Sequence, residues 1–262
     1  MNARRIRGVL LQELYMTIHA LEVIIDVFLF PLINIVIFGL IAIYLAGGAE
    51  TKASQFVFLG MLLWQIIGIT SYSVAVGSMW NIWSRNLSNM FIAPLSVKEY
   101  VTALFASGCI KAVLLLTFGM WLSAHFFGFQ VLDVGLINLT LMFIVFALFG
   151  LALAIFTLGI IFRFGSRLAA LSWSLPWLFQ PFSAAFFPVA DLPQALQLVA
   201  YSLPPTYAFE AVRFGLVDGG VHWGLFGVGL LLALIYCVAG TFFFIRFLEV
   251  SKDIGQFARN ES

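Results

Sequence analysis

Glu22, Asp26 and Lys111 are ionisable residues at the edge of, or inside, the long apolar runs of this chain, where a charge is energetically unfavourable. Glu22 and Asp26 lie one helical turn apart near the start of the first run, and Lys111 lies near the middle of the third. Ionisable groups at membrane depth tend to be paired and functional. We therefore predict that Lys111 reaches Asp26 or Glu22 and couples the first run to the third. The alternative is that Lys111 extends alone to the membrane surface while both acids lie among the headgroups.

Polar but uncharged side chains also fall inside the apolar runs and are candidates for lining a transport pathway. The alternative is that each one hydrogen-bonds a neighbouring helix, an interaction worth about 0.6–2 kcal/mol. Tryptophans in the same runs are interpreted as interface anchors and packing residues rather than as surfaces for a ligand. The candidate pathway residues are Asn34, Gln65, Tyr72 and Gln180.

The residue types give little support to enzymatic chemistry. The sequence contains no G-x-x-x-x-G-K-[ST] stretch, the loop that cradles nucleotide phosphates, so we predict no ATPase and no cofactor in this chain. The 2 cysteines and 3 histidines are scattered without the spacing of metal ligands. Acidic residues outside the runs are dispersed as well, which makes an integral-membrane enzyme the weakest class. A net charge of +1 gives no electrostatic reason to expect nucleic acid as a partner.

Composition identifies the elements that must position these residues. The 262 residues are 63% hydrophobic and 10% charged, whereas a soluble domain is about 45–50% apolar and about 25% charged. This predicts an all-α integral membrane protein with a single transmembrane domain over residues 1–262. A spanning helix needs about 20 mostly apolar residues. Six runs qualify: 23–46, 56–78, 100–123, 134–162, 168–188 and 223–248, of which the fifth contains Pro176 and Pro181 and is expected to kink.

The basic residues predict the orientation of these runs. With six spans both chain ends lie on the same side, and ten of the 13 Lys and Arg residues fall on that side. Lys52 and Arg213 fall on the other side, and Lys111 lies inside a run. The positive-inside rule therefore predicts that both termini are cytoplasmic.

The first 21 residues predict a helix that lies in the membrane interface. Apolar residues recur every four positions, and the arginines suit anionic headgroups. Glu13 and one of the arginines cut into the edges of the apolar face, so a short leader packed on the spans is the alternative. The apolar residues are Ile6, Leu10, Leu14 and Ile18, and the basic ones are Arg4, Arg5 and Arg7.

A separate short helix is predicted over residues 80–94, between the second and third runs. Ser96 and Glu99 have the spacing of a capping box, so the third span should start near Ser96. Pro94 stops whatever precedes it. From the pattern alone, a solvated loop resting on the membrane is an equal alternative to a helix.

Two further short helices are predicted over residues 191–217, between the fifth and sixth runs, and neither is long enough to span a bilayer. Asp191 marks the first start, with Pro193 in its first turn. Pro204 and Pro205 should end that helix, and a second should follow from Thr206. Glu210 and Arg213 are three residues apart on this second helix and are expected to form a surface pair worth at most about 1 kcal/mol.

Taken in order, these features resemble the type-2 ABC exporter permease family. The two segments that carry the resemblance are "RNLSNMFIAPLSVKEYV" and "FFPVADLPQALQLVAYSLPPTYAFEAVR". The resemblance covers nearly the whole chain. It implies a subunit of a prokaryotic plasma (inner) membrane that pairs with a second copy, as a homodimer, and docks on a separate cytoplasmic P-loop ATPase, which binds ATP and Mg²⁺.

The resemblance also implies roles for particular residues. The N-terminal helix, with Arg4, Arg5, Arg7 and Glu13, would clamp the ATPase and border a lateral opening for substrate. The cargo would be an amphiphile moved outward: a drug, a lipid or a lipid-linked glycan. The helix between spans two and three would couple to the ATPase through Arg85, Asn86, Leu87, Ser88, Asn89 and Met90. The late external helices would gate the exit through Pro188, Asp191, Pro193, Pro204, Pro205, Glu210 and Arg213.

An ion-coupled secondary transporter or channel without an ATPase is the competing hypothesis. Such proteins usually carry internal repeats with broken helices at matching positions of the two halves. No such match is visible here, because Pro31 is the one proline of the first three runs while the fifth contains several.

Overall fold

The computed structural model describes residues 1–46, 52–84, 86, 90 and 92–253, and within these residues the regular structure is helical with no β-strand. The predicted all-α class is therefore confirmed. Two π-helical turns are present, Ile25–Leu29 and Ser123–Phe127. The α-helices are α1 (Ala3–His19), α2 (Leu21–Ile24), α3 (Phe30–Ala46), α4 (Lys52–Trp83), α5 (Val97–Leu122), α6 (Leu136–Phe164), α7 (Leu171–Phe179), α8 (Gln194–Ser202), α9 (Pro204–Asp218) and α10 (Trp223–Asp253).

Among the described residues, five helical stretches are long and apolar enough to cross a membrane. This agrees with a multi-pass membrane protein, and each stretch overlaps one of the predicted runs. The five are Leu21–Leu45, Ser54–Trp83, Val97–Phe127, Leu136–Phe164 and Trp223–Ser251.

The predicted fifth run, 168–188, is not a continuous helix. α7 covers only nine residues and ends at Phe179, and a 3-10 turn, Gln180–Phe182, follows it. Pro176 is accommodated inside α7, whereas Pro181 has no backbone N–H to donate to the Trp177 carbonyl four residues before it. The Gln180 N–H bonds to that carbonyl instead, which is the 3-10 spacing of the turn that follows.

The second and third spanning helices extend beyond their predicted limits. α4 continues without a break to Trp83, so the prediction of a separate helix starting at residue 80 is wrong at its beginning. α5 begins at Val97 with Ser96 as its N-cap, and the predicted capping box is confirmed. The Glu99 N–H donates to Ser96 Oγ at 3.2 Å, and the Ser96 N–H donates to Glu99 Oε2 at 3.0 Å.

α4 is the central helix of the bundle and packs against α3, α5, α6 and α7. It is the least apolar of the five candidate spans, yet 89% of its central stretch is buried, against 17% for α10. Buried polar residues such as Thr70, Ser78 and Asn81 account for the low hydropathy of this buried helix. In lipid, the outer helices must be apolar, whereas small polar groups are accommodated between helices, where they find partners.

One glycine shows how closely α4 and α6 approach. A Cβ at Gly150 of α6 would collide with the Thr70 hydroxyl and lie 2.8 Å from the Ile67 carbonyl oxygen, both on α4. A side chain at this position would therefore force the two helices apart.

Candidate functional site

A cavity of about 260 Å³ lies between the first spanning helix, α4 and α7. Three of the four predicted pathway residues, Asn34, Gln65 and Tyr72, line it, and Asp26 does so as well. The fourth, Gln180, is not among its lining residues. Gln180 is buried in the turn after α7, and its Nε2 lies 3.6 Å from Met61 Sδ.

Asp26 lies in the π-helical turn of the first spanning helix. The Phe30 N–H donates a hydrogen bond to the Ile25 carbonyl, five residues earlier, and Pro31 follows Phe30 directly. Pro31 has no N–H to donate to the carbonyl four residues before it, which explains why the regular ladder is interrupted here. Single π-turns inside α-helices occur frequently at functional sites.

Tyr72 of α4 holds the Asp26 carboxylate from across the cavity. The Tyr72 hydroxyl donates to Asp26 Oδ2 at 2.9 Å. This bond joins two spanning helices across 46 residues of sequence. The carboxylate is thereby fixed on the wall, between the first spanning helix and α4.

α7 supplies the opposite wall and contributes residues that the sequence interpretation missed. Trp173 and Trp177 line the cavity with 36% and 41% of their surface exposed. Both had been interpreted as membrane anchors. Ser172 lies beside them, and among the described residues neither its hydroxyl nor the Gln65 Nε2 has a hydrogen-bond partner, although both residues are buried. The helical spacing of Trp173 and Trp177, four residues apart, was the sequence signal that could have placed them on a common face.

Lys111 pairs with Glu13 of α1 rather than with Asp26 or Glu22, so the predicted pairing is wrong. Lys111 Nζ lies 3.8 Å from Glu13 Oε2, and both side chains are almost fully buried. Glu22 is exposed, and the first spanning helix packs mainly on α4 rather than on α5. The prediction failed because α1, regarded as an interfacial element, supplies the acid instead.

The position of α1 explains this pairing. The Asn2 N–H donates to Glu99 Oε1 at 2.6 Å at the start of α5, while Glu13 meets Lys111 further along, so the two helices run in the same direction. The separations are eleven residues on α1 and twelve on α5, or about 17 and 18 Å of helix. Burial raises the pKa of the Glu13 carboxyl, and the nearby ammonium of Lys111 offsets part of that rise.

The buried face of α1 differs from the predicted one. The N-terminal helix itself is confirmed, but Val9, Glu13 and Thr17 form the centre of its packed face. The predicted stripe forms one edge of that face, and Ile18 is 70% exposed. The prediction selected apolar residues alone. It could not identify Glu13 as buried, because its counter-ion Lys111 is distant in the sequence.

The remaining residues assigned to the N-terminal helix differ in their contacts. Arg4 and Arg7 are exposed. Arg5 Nη1 lies 3.7 Å from Glu99 Oε2, on the carboxylate that also caps α5. Glu99 therefore ties the first turns of α1 and α5 together.

Much of the predicted coupling segment lies outside the described residues. The residues concerned are Arg85, Leu87, Ser88 and Asn89. The Asn86 N–H donates to the Asn81 carbonyl at 2.9 Å, and the Met90 N–H donates to the Asn86 carbonyl at 3.0 Å. Met90 and Leu95 pack against the apolar cluster that includes Val9 of α1. The described part of this segment thus contacts the N-terminal helix.

The late helices form where the sequence predicts them, with shifted starts. α8 begins at Gln194 with Pro193 as its N-cap, because Asp191 closes a 3-10 turn that follows Pro188. Pro204 and Pro205 open α9 instead of ending the helix before it. Proline suits the first turn of a helix, where the N–H has no partner to lose.

Glu210 and Arg213 do not form the exposed surface pair that was predicted. Arg213 Nη1 lies 2.9 Å from Glu210 Oε1, and the side chains are 8% and 17% exposed. Arg213 also donates to the Ala184 carbonyl, and Glu210 Oε1 accepts the Val189 N–H at 3.0 Å. This buried pair fastens α9 to the chain that follows α7.

No protein-family model matches this chain, and no curated protein matches it either. Among the described residues, no group of three or more His, Cys, Asp or Glu side chains is placed to hold a metal ion.

Proposed function

We propose that this chain is the membrane-spanning subunit of an ATP-driven exporter. It would work as a homodimer docked on a separate cytoplasmic P-loop ATPase, which would bind ATP and Mg²⁺ and power the transport. The transported substrate would be an amphiphile moved outward. The membrane would be a prokaryotic plasma membrane with both termini of the chain on the cytoplasmic side.

The observation that carries this proposal is a packed unit at one end of the bundle. It consists of α1, the last turns of α4, the first turns of α5 and the described residues Met90 to Leu95. Glu99 links the starts of α1 and α5, and Glu13 with Lys111 links the two helices further along. The Gln12 Nε2 donates to Asn81 Oδ1 of α4 at 3.3 Å.

Such a unit suits an external motor. A force applied to the segment between α4 and α5 would move both helices and α1 together, because polar contacts join them and the Glu13–Lys111 pair among these is buried. The cavity lies on another flank of α4, so a tilt of that helix would change its shape. An amphiphile needs a site of this kind, with polar groups beside apolar walls.

The chain between α6 and α10 is proposed to make a sixth crossing with a broken helix. Two contacts support this. Ser251 Oγ donates to the Phe162 carbonyl at 2.5 Å, which brings the end of α10 to the end of α6. Asn138 Nδ2 donates to the Gly220 carbonyl at 3.3 Å, which brings the start of α6 to the residues before α10. The intervening chain therefore passes from one end of the bundle to the other.

An ion-coupled transporter is the second candidate, and the buried Glu13–Lys111 pair is the observation that favours it. Buried ionisable pairs in membrane proteins also serve as proton relays. The two candidates differ in whether an ATPase is required.

Purification from native membranes tests the proposal. The tagged chain would be isolated in mild detergent and its co-purifying proteins identified. We expect a stoichiometric P-loop ATPase with the wild-type chain and with the control Asp133→Asn, an exposed residue remote from the packed unit. The double variant Arg85→Glu/Asn86→Ala should lose the ATPase. A stable, folded complex without any ATPase would refute the proposal and favour the ion-coupled alternative.

A further inference from the structure

The cavity described above carries a net negative charge. Asp26 is the one formally charged residue among the described residues that line it. Its carboxylate accepts a hydrogen bond from Tyr72, and no Lys or Arg of the described chain forms an ion pair with it. Lys111, the buried lysine of α5, pairs with Glu13 instead. The carboxylate therefore has room for an external cation.

Two buried polar groups, one on α4 and one on α7, also lack partners among the described residues. Gln65 is 3% exposed and Ser172 is 2% exposed, and both line the cavity. The Gln65 Nε2 and the Ser172 Oγ have no hydrogen-bond partner in the part of the chain that the structure describes. An unpaired buried polar group is unfavourable in a folded protein. Both atoms are enclosed by protein, so a ligand in the cavity would meet the Asp26 carboxylate as its main polar contact.

Aromatic rings complete the walls. Phe30, Trp173 and Trp177 line the cavity and are 55%, 36% and 41% exposed. Aromatic faces attract cations, tryptophan most strongly, and the attraction grows when water is excluded. The cavity thus combines one carboxylate with aromatic side chains in its walls, a combination suited to an organic cation.

We propose that this cavity binds an organic cation with an apolar body, such as a protonated amine or a quaternary ammonium compound. The inference rests on the proposed function, because it names the substrate class of that same cavity. It distinguishes among the three substrate classes that the resemblance left open: a drug, a lipid and a lipid-linked glycan. A lipid-linked glycan with an anionic phosphate linkage would meet the Asp26 carboxylate without a balancing cation, so a cationic drug-like amphiphile is favoured.

Equilibrium dialysis with radiolabelled benzyltrimethylammonium tests the inference. The purified chain is held in a non-ionic maltoside detergent, and phenylmethanesulfonate serves as the anionic counterpart of similar size. We expect saturable binding of one cation per chain and at least tenfold weaker binding of the anion. Equal binding of the two probes would overturn the inference.

Two pairs of variants locate the site. Asp26→Asn keeps the shape and an acceptor for the Tyr72 hydroxyl but removes the charge, and it should weaken cation binding at least tenfold. Glu22→Gln removes an exposed acid one turn away and should leave binding unchanged. Trp177→Leu should weaken binding several-fold, whereas Trp223→Leu, at an exposed tryptophan outside the cavity, should not. Unchanged binding in both Asp26→Asn and Trp177→Leu would overturn the inference.

The assay separates this inference from the proposed function. Binding needs no ATPase, whereas the purification experiment needs no ligand. A chain that retains an ATPase but does not bind the cation would leave the exporter proposal standing and refute the substrate class. Cation binding by a chain without an ATPase would support the site and refute the ATP-driven function.

Discussion

Replacing Lys111 by methionine tests the buried pair that joins α1 to α5. The substitution leaves Glu13 buried with its counter-ion removed. Breaking one side of a buried ion pair typically lowers stability by about 3–5 kcal/mol. Both side chains are at most 6% exposed, so solvent cannot compensate much. We expect a loss of about 3 kcal/mol or more in the free energy of unfolding.

The double variant Glu13→Gln/Lys111→Met should recover most of that loss. Replacing both partners of a buried pair by neutral groups is often nearly neutral. We therefore expect a coupling free energy of at least about 2 kcal/mol between the two positions. Arg5→Gln is the matched control, because Arg5 is 40% exposed and its pair with Glu99 should contribute less than about 1 kcal/mol.

The measurement is reversible unfolding in mixed maltoside and dodecyl sulfate micelles, followed by tryptophan fluorescence.

The pH dependence adds a second readout. Burial raises the pKa of Glu13 and Lys111 lowers it again, so Lys111→Met should raise that pKa further. A raised carboxyl pKa favours the folded state below the ordinary value of about 4.3 and loses that contribution as pH rises through the folded pKa. The Lys111→Met variant should therefore be less destabilised near pH 5 than near pH 8. Additive single effects, or a loss below about 1 kcal/mol at pH 8, would refute the proposed link.

Three further substitutions test separate contacts. Gly150→Ala should lower stability by about 1–3 kcal/mol because its methyl group collides with Thr70, whereas Gly227→Ala, where nothing lies within 4 Å, should have little effect in the same unfolding assay. Ser96→Ala should cost about 1 kcal/mol through loss of the α5 cap, and Ser96→Asp should restore most of it. Arg213→Met should leave Glu210 buried beside an unpaired carbonyl and should increase proteolysis near α9, an outcome that an exposed pair would not give.

Local chemistry predicted much of the fold. The all-α class follows from composition, and five of the six runs correspond to helices with membrane-spanning length. The α5 start was predictable because the capping box depends on residues only three apart. The broken fifth run was foreshadowed by its prolines, but its irregular path from Ser166 to Pro188 depends on contacts with α4 that no local pattern encodes.

The candidate site was predictable in part for the same reason. Asn34, Gln65 and Tyr72 could be selected because each is polar at membrane depth, and they do line one cavity. The partner of Lys111 could not be selected, since the choice among Glu13, Glu22 and Asp26 depends on how α1 packs against α5. Helical periodicity assigns a residue to a face of its own helix, but it does not identify the helix that covers that face.

The two acids of the N-terminal third illustrate how packing assigns different tasks to similar side chains. Glu13 is buried against Lys111 and Gly77, where a charge is balanced and water is excluded. Asp26 lies on a cavity wall with a neutral hydroxyl as its one hydrogen-bond partner among the described residues. A balanced buried charge holds helices together, whereas an unbalanced charge on a cavity wall attracts a ligand of opposite sign. The substitutions Glu13→Gln and Asp26→Asn should therefore separate cleanly: the first should change stability with cation binding retained, and the second should change cation binding with stability retained.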